Sequence, residues 1–235
     1  MDIQELHSAL ESLPYILGGL PATLGLILGA LAVGFVLGVP LAVGRVYGGR
    51  TTRTLVKLYV WLFRGVPILV QMYLFYFGIL AWLSSLPGLS FLHLDSAFLA
   101  AILVLGLTSA AYQCQIFKGA IASLPSGQLK AALALGMSPT TAIWRIILPQ
   151  ALRLAIPAWS NEYSILLKDS ALAFVIGVME IMSRTRAVAS ATHQPLPLSL
   201  VAGIIFFALT WIGLKAMRVV EDRVRIKGYT QQGSI

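Results

Sequence analysis

The chain has 235 residues, of which 58% are hydrophobic and only 11% charged. A soluble domain carries about twice that share of charge, so an ordinary cytosolic enzyme, a disordered chain and a free nucleic-acid binder are excluded, leaving a one-domain polytopic membrane protein. In that class the net charge of +8 is a topology signal and not a sign of nucleic acid.

Five segments are apolar and long enough to cross the ~30 Å hydrocarbon layer as helices, roughly residues 15–44, 58–83, 96–117, 151–179 and 198–217. The first 14 residues carry Asp2, Glu5 and Glu11 but no Lys or Arg, so they read as an external N-terminal segment and not as a basic signal-peptide start. Arg45, Arg50, Arg53 and Lys57 follow the first span. The stretch 84–96 has no Lys or Arg, and the long connector 118–153 has Lys118, Lys130, Arg145 and Arg153. Arg184 and Arg186 lie in the connector 180–197, and Lys215, Arg218, Arg223, Arg225 and Lys227 mark the end of the last span and the tail. Thirteen cations thus fall on one side and two on the other. The positive-inside rule places the N-terminus outside and the C-terminus in the cytoplasm, as an odd number of spans requires. The expected architecture is all-α: five transmembrane helices over residues 15–220 forming a single domain, followed by a cytoplasmic tail over 221–235.

The third connector is the informative one. Ser126 and the helix formers of 127–135 predict a short helix that Gly136 stops. Ser138 and Pro139 then restart a helix as N-cap and first residue, and Pro149 begins the next breaker or kink. Such a cytoplasmic hairpin by itself exposes Leu135, Met137, Ile143 and Ile147, so it either docks on another protein or packs beneath its own spans.

This stretch resembles the EAA loop of ATP-binding-cassette importer permeases. Ala131-Ala132, three residues, Gly136, nine residues and Ile146-Ile147-Leu148-Pro149 reproduce its spacing, with Lys130 in place of the family Glu. The resemblance covers roughly residues 15–225 and is closest to the polar amino-acid branch. Arg64-Gly65-Val66-Pro67-Ile68-Leu69-Val70-Gln71 is similar to R-G-T-P-L-x-V-Q, and Leu148-Pro149-Gln150-Ala151-Leu152-Arg153 to L-P-Q-A-x-R. Asn161-Glu162 and Leu167-Lys168-Asp169-Ser170 match its N-E and L-K-D-[ST] elements. Ala111-Tyr112 through Lys118-Gly119 matches A-Y-x-x-E-x-x-R-G, with Gln115 for Glu and Lys118 for Arg.

The resemblance implies a type I importer subunit of the bacterial inner membrane that moves polar amino acids by alternating access. It implies no catalysis and no cofactor on this chain, because ATP and Mg belong to partner ATPase subunits. A second permease subunit, equal or different, and an external solute-binding protein complete the implied assembly. The ATPase-coupling residues are expected to be Lys130, Ala131, Ala132, Leu135, Gly136, Met137, Ser138, Pro139, Ile146, Leu148 and Pro149 of a loop spanning about 123–150.

Ionisable groups at span depth cost at least ~2.5–3.5 kcal/mol and are functional candidates. Glu162 and Asp169, seven apart, share a helix face that Asn161 adjoins, while Lys168 points elsewhere; a helix break near Lys168-Asp169-Ser170 alters this. Asn161, Glu162, Gln115, Gln113 and Gln71 are candidates for the substrate path. Glu162 either meets an amino group of the cargo or forms an ion pair with Arg64 or Lys168. The glutamines either line the path or bond helices together. Arg64, Lys168 and Asp169 are read as structural or gating charges. An alternative function is an ion-coupled secondary transporter with Glu162 as proton site, although no internal repeat supports it.

His7, His93 and His193 lie far apart and Cys114 is alone, so no metal site is expected. Gly44 through Thr51 nearly fits a phosphate loop, but Arg50 replaces its lysine and a span precedes it where a strand is needed. The spacings Gly25-x3-Gly29 and Gly34-x3-Gly38 suit close helix packing or subunit contacts.

Overall fold

The computed structural model describes residues 10–86 and 95–224. Most of the N-terminal segment 1–14, expected to be external, and of the tail 221–235, expected to be cytoplasmic, lies outside the described residues, as do His7 and His93. Among those described there are helices and no strand.

A short helix α1, Leu13–Leu17, leads through Gly18 and Gly19 into α2, Leu20–Tyr47. The combined stretch Leu13–Tyr47 is 35 residues of almost unbroken apolar sequence. Helix α3, Arg50–Gly65, follows after an extended Gly48-Gly49 turn. Arg53 donates to the Val46 carbonyl at 2.9 Å, and Arg45 donates to the Arg53 carbonyl at 3.2 Å, so the bases clamp the turn across which they are spaced. The near-phosphate-loop residues therefore straddle two helix ends.

The single span expected over 58–83 is two helices. Helix α4, Ile68–Ser84, which includes a π-helical stretch Leu74–Leu80, is bent by 103° from α3. Pro67 is the cause: it has no N–H to continue α3, and it drives Val66 into extended backbone, φ −95° and ψ 131°.

Helix α5, Ala97–Ala122, starts at Ser96, whose hydroxyl accepts from the Leu99 N–H. It forms the most extensive helix pair of the fold with α2. The glycines of α2 make this possible. A Cβ at Gly34 would collide with Ser109 and Gln113 of α5, and one at Gly38 would lie 3.3 Å from the Ala110 carbonyl oxygen. Both glycine spacings therefore serve packing within the subunit.

Helix α6, Gly127–Ala134, and the one-turn α7, Pro139–Ala142, form the hairpin. A π-helical stretch, Ile143–Ile147, joins α7 to α8, Leu148–Ser170. Pro149 breaks nothing here. It falls in the first turn of α8, and the wider π turn before it accommodates the missing donor. Helix α8 ends at Ser170 in a 3-10 stretch, Ala171–Ile176, so Glu162 and Asp169 share one unbroken helix. Helices α9, Ile181–Thr192, and α10, Pro195–Val224, are the last of the described elements.

Leu13–Tyr47, Ala97–Ala122 and Pro195–Val224 are each long and apolar enough to cross a membrane, and the bent pair α3–α4 is a fourth candidate. Leu148–Ser170 has 23 residues, about 35 Å of helix, but carries Arg153, Glu162, Lys168 and Asp169. Two main apolar clusters run along the bundle. One gathers Leu26, Met72, Leu105 and Leu167, and the other Val39, Val60, Phe117 and Leu148. Along α10, Leu196, Leu200, Ile204, Phe207 and Trp211 are exposed at helical spacing, a stripe suited to an apolar surround.

Candidate functional site

Two regions carry the sequence's candidate residues: the hairpin and a polar layer buried between the helices.

In the hairpin, Gly136 adopts φ +80°, the left-handed conformation that a glycine enters without penalty. Its N–H donates to the Leu133 carbonyl at 3.0 Å, and the Met137 N–H donates to the Ala132 carbonyl at 3.1 Å, a Schellman turn. Ser138 then caps the restart, accepting from the Thr141 N–H at 3.2 Å. The Ser126 side chain, expected to cap α6, makes no such bond. Ala132 and Leu148 are buried, Ile146 and Met137 half-buried, and Lys130, Ala131, Ser138, Pro139 and Pro149 exposed. Leu135, next to the turn, is 84% exposed, and Leu133 and Trp144 are exposed beside it. Ile143 and Ile147 are buried in the chain's own core, so that part of the hairpin packs beneath its own helices, the second of the two alternatives. Sequence reading missed the brace of the hairpin: Gln128 and Gln150 exchange side-chain amide hydrogen bonds of 3.1 and 2.9 Å. Each glutamine lies within a helix, and only the fold shows that they meet.

The buried layer joins α2, α4, α5 and α8. Ser109 donates to Oε1 of Glu162 at 2.8 Å, and Gln113 donates to Ser109 at 3.0 Å and to the Leu31 carbonyl at 3.3 Å. Glu162 is 2% exposed, and among the described residues no cation stands within ion-pair distance of it. Arg64 is exposed and instead lies 4.8 Å from the centroid of the Tyr112 ring. Lys168 is exposed too, two turns from exposed Asn161, so α8 presents an Asn161–Lys168 stripe outward and a Glu162–Asp169 stripe inward. Gln71 stands apart from this chain of bonds. Its Nε2 donates to the Phe63 and Val66 carbonyls, at 3.0 and 2.8 Å, and its Oε1 accepts from Thr108 at 3.0 Å. It thereby satisfies carbonyls freed by the Pro67 break. Gln115 is half-buried on another face of α5, beside Arg64 and Tyr112. Among the described residues no cluster of His, Cys, Asp and Glu has the makings of a metal site.

At the opposite end of the bundle from the hairpin, Glu180 is fully buried and caps α9, accepting from the Met182 N–H at 2.7 Å and from the Ser183 N–H at 2.5 Å. Burial pushes its carboxyl up to about 7, against the pull of those two N–H bonds.

Comparison with known proteins adds the lineage. The chain is 37% identical over 222 residues to a nopaline transport system permease protein of Agrobacterium fabrum, covering 94% of this chain and 91% of that one. It is 36% identical over 211 residues to a histidine/lysine/arginine/ornithine transport system permease protein of Salmonella typhimurium, covering 89% of each. It is 35% identical over 215 residues to an L-cystine transport system permease protein of Bacillus subtilis, covering 92% of this chain and 89% of that one. The fold superposes with a TM-score of 0.78, at 28% identity, on a crystal structure of an amino acid ABC transporter solved with histidines, over 93% of this chain and 98% of that one. An inward-facing methionine transporter, MetNI, shares the fold alone, with a TM-score of 0.76 at 18% identity over 90% of this chain and 97% of that one. Residues 34–226 match the family of binding-protein-dependent transport system inner membrane components, and the chain belongs to that family.

Proposed function

We propose that this chain is the permease subunit of an ATP-driven importer of polar amino acids, driven by separate ATPase subunits through the hairpin around Gly136. The observation that carries the coupling role is Leu135, 84% exposed at the tip of a hairpin that is capped at both sides of Gly136 and braced by Gln128 and Gln150. A rigid apolar tip of this kind suits a groove on a partner. The amino-acid cargo is supported by the permeases it resembles, which belong to transport systems for nopaline, for histidine, lysine, arginine and ornithine, and for L-cystine. Membership of this family does not favour an ion-coupled secondary transporter.

The topology proposed is five crossings: Leu13–Tyr47, the bent pair, Ala97–Ala122, Leu148–Ser170 and Pro195–Val224. The placement of the basic residues supports an external N-terminus and a cytoplasmic hairpin and C-terminus. The unit is a single permease domain over 15–220, with an external segment before it and a cytoplasmic tail after it. A second permease subunit and an external binding protein complete the assembly; ATP and Mg reside on the ATPase. In this reading the cargo meets α8 at exposed Asn161, with Glu162 behind it, where Ser109 engages one carboxylate oxygen and, among the described residues, no cation lies within ion-pair distance. Gln113 holds Ser109 in place and Gln71 secures the bent pair, whereas Gln115 faces Arg64 and Tyr112, away from this layer. Arg64, Lys168 and Asp169 serve as structural or gating charges.

Co-purification with the ATPase tests the reading. Gly136→Val places a β-branched residue at φ +80°, a conformation costing roughly 1–2 kcal/mol, in a site with no atom within 4 Å of an added Cβ. The expected result is a chain that still inserts but loses ATPase binding and uptake. Ion-gradient-driven uptake by the chain alone in proteoliposomes would overturn the proposal.

A further inference from the structure

Helix α3 is unlike the other long helices. It carries Arg50, Arg53, Lys57 and Arg64, yet it also exposes Leu55, Leu58, Trp61 and Leu62, with Trp61 at 72%. Only Val56 and Val60 are buried against the bundle. A helix with one buried stripe and a surface of mixed bases and large apolar side chains suits the membrane interface, where both kinds of group find partners.

Between α3 and α5 opens a cavity of about 440 Å³, lined by Lys57, Val60, Trp61, Arg64, Tyr112 and Gln115. Two of these side chains are cationic and none is acidic. Lys57 and Arg64 are two helical turns apart on one stripe, about 10 Å along the axis. Among the described residues neither has a carboxylate within ion-pair distance. Arg64 stacks over the Tyr112 ring at 4.8 Å, which steadies the guanidinium and leaves its N–H edge available for a bidentate acceptor. Gln115 adds an amide donor. The volume lies within the range of small-molecule sites, ~300–1,000 Å³.

We propose that this cavity binds the phosphate headgroup of one anionic phospholipid of the cytoplasmic leaflet, held by Lys57 and Arg64, with Trp61 and Leu58 against its acyl chains. A basic pocket between membrane helices on the cytoplasmic side is a recognised form of lipid headgroup site. A free anion accounts for the two cations but not for the large apolar side chains exposed beside them; a lipid accounts for both. The inference rests on the orientation proposed above, which puts the Gly48-Gly49 turn on the cytoplasmic side.

The test is native mass spectrometry of the purified permease–ATPase complex, delipidated and then titrated with phosphatidylglycerol or phosphatidylcholine. The wild type is expected to retain one phosphatidylglycerol per copy of this chain and to release phosphatidylcholine. Lys57→Gln with Arg64→Gln should weaken phosphatidylglycerol retention roughly tenfold or more, whereas Lys118→Gln, a charge lost outside the cavity, should not. Equal retention of the two lipids by the wild type overturns the proposal whether or not the double variant folds. So does unchanged retention in a folded double variant, or displacement of the lipid by millimolar inorganic phosphate, which makes it a site for free anions. Labelling of Arg50→Cys in a Cys114→Ser background by a membrane-impermeant thiol reagent checks the orientation separately. Labelling from outside overturns the orientation, whereas labelling only from inside leaves the lipid titration as a test of the site alone.

Discussion

Glu162 is the residue whose environment most needs a reason. It is buried, it accepts a hydrogen bond from Ser109, and among the described residues no cation lies within ion-pair distance of it. If its charge serves the cargo, Glu162→Gln keeps the shape and the Ser109 bond yet removes the charge. Uptake of cationic amino acids should then fall about tenfold or more while ATPase assembly is unchanged, as radiolabelled uptake in proteoliposomes can measure. Ser109→Ala should be milder for transport but lower the melting temperature, because it leaves Gln113 and Glu162 short of a partner at a cost of about 1–3 kcal/mol. Equal uptake by wild type and Glu162→Gln would reduce Glu162 to a packing residue.

At the scale of elements, the bend at Pro67 and the cap of α9 each depend on one polar side chain. Gln71 satisfies two backbone carbonyls and one hydroxyl at the bend. Gln71→Leu preserves bulk and abandons all three, so a loss of roughly 2–3 kcal/mol is expected, read as a lower melting temperature of the purified complex. Glu180 predicts a pH dependence. Its carboxyl is raised to about 7 in the fold from an ordinary 4.5, so the folded state binds the proton more tightly than the unfolded chain does. Its contribution to stability is therefore full below about 4.5 and is lost as pH rises through about 7. Glu180→Gln cannot titrate and should flatten that slope. Melting curves between pH 5 and pH 8 check it, and an equal slope in the variant counts against the assignment.

For the whole molecule, α2 and α5 form the most extensive helix pair, and α8 packs against both. Gly34→Val drives side-chain atoms into Ser109 and Gln113 and should cost roughly 1–3 kcal/mol by overpacking, and it should disturb the Glu162 layer with it. Gly203→Ala, with nothing within 4 Å of an added Cβ, is the matched control and should melt like the wild type.

Some of this organisation lies open in the sequence, because it depends on local rules. The long apolar runs require helices in a membrane, since backbone groups in hydrocarbon must bond within their own segment. The alternation of base-rich and base-poor connectors is what the proposed orientation is read from. Gly136 and Ser138-Pro139 specify a turn and a restart whatever surrounds them. Other features depend on partners far apart in the chain. The spacing within 58–83 is apolar on both sides of Pro67, so it reads as one span; the 103° bend follows once Gln71 and Thr108 take up the polar groups at the break. Gln128 and Gln150 are ordinary helix residues until the hairpin closes, and Lys57, Arg64 and Tyr112 define a cavity only when α3 crosses α5. The sequence by itself determined the membrane class, the helical character and the turn at Gly136, because each follows from hydrophobicity, charge or backbone preference over a few neighbouring residues. Only the tertiary structure decided which polar side chains are satisfied inside the subunit and which are left to meet something else, because that depends on contacts between helices remote in sequence.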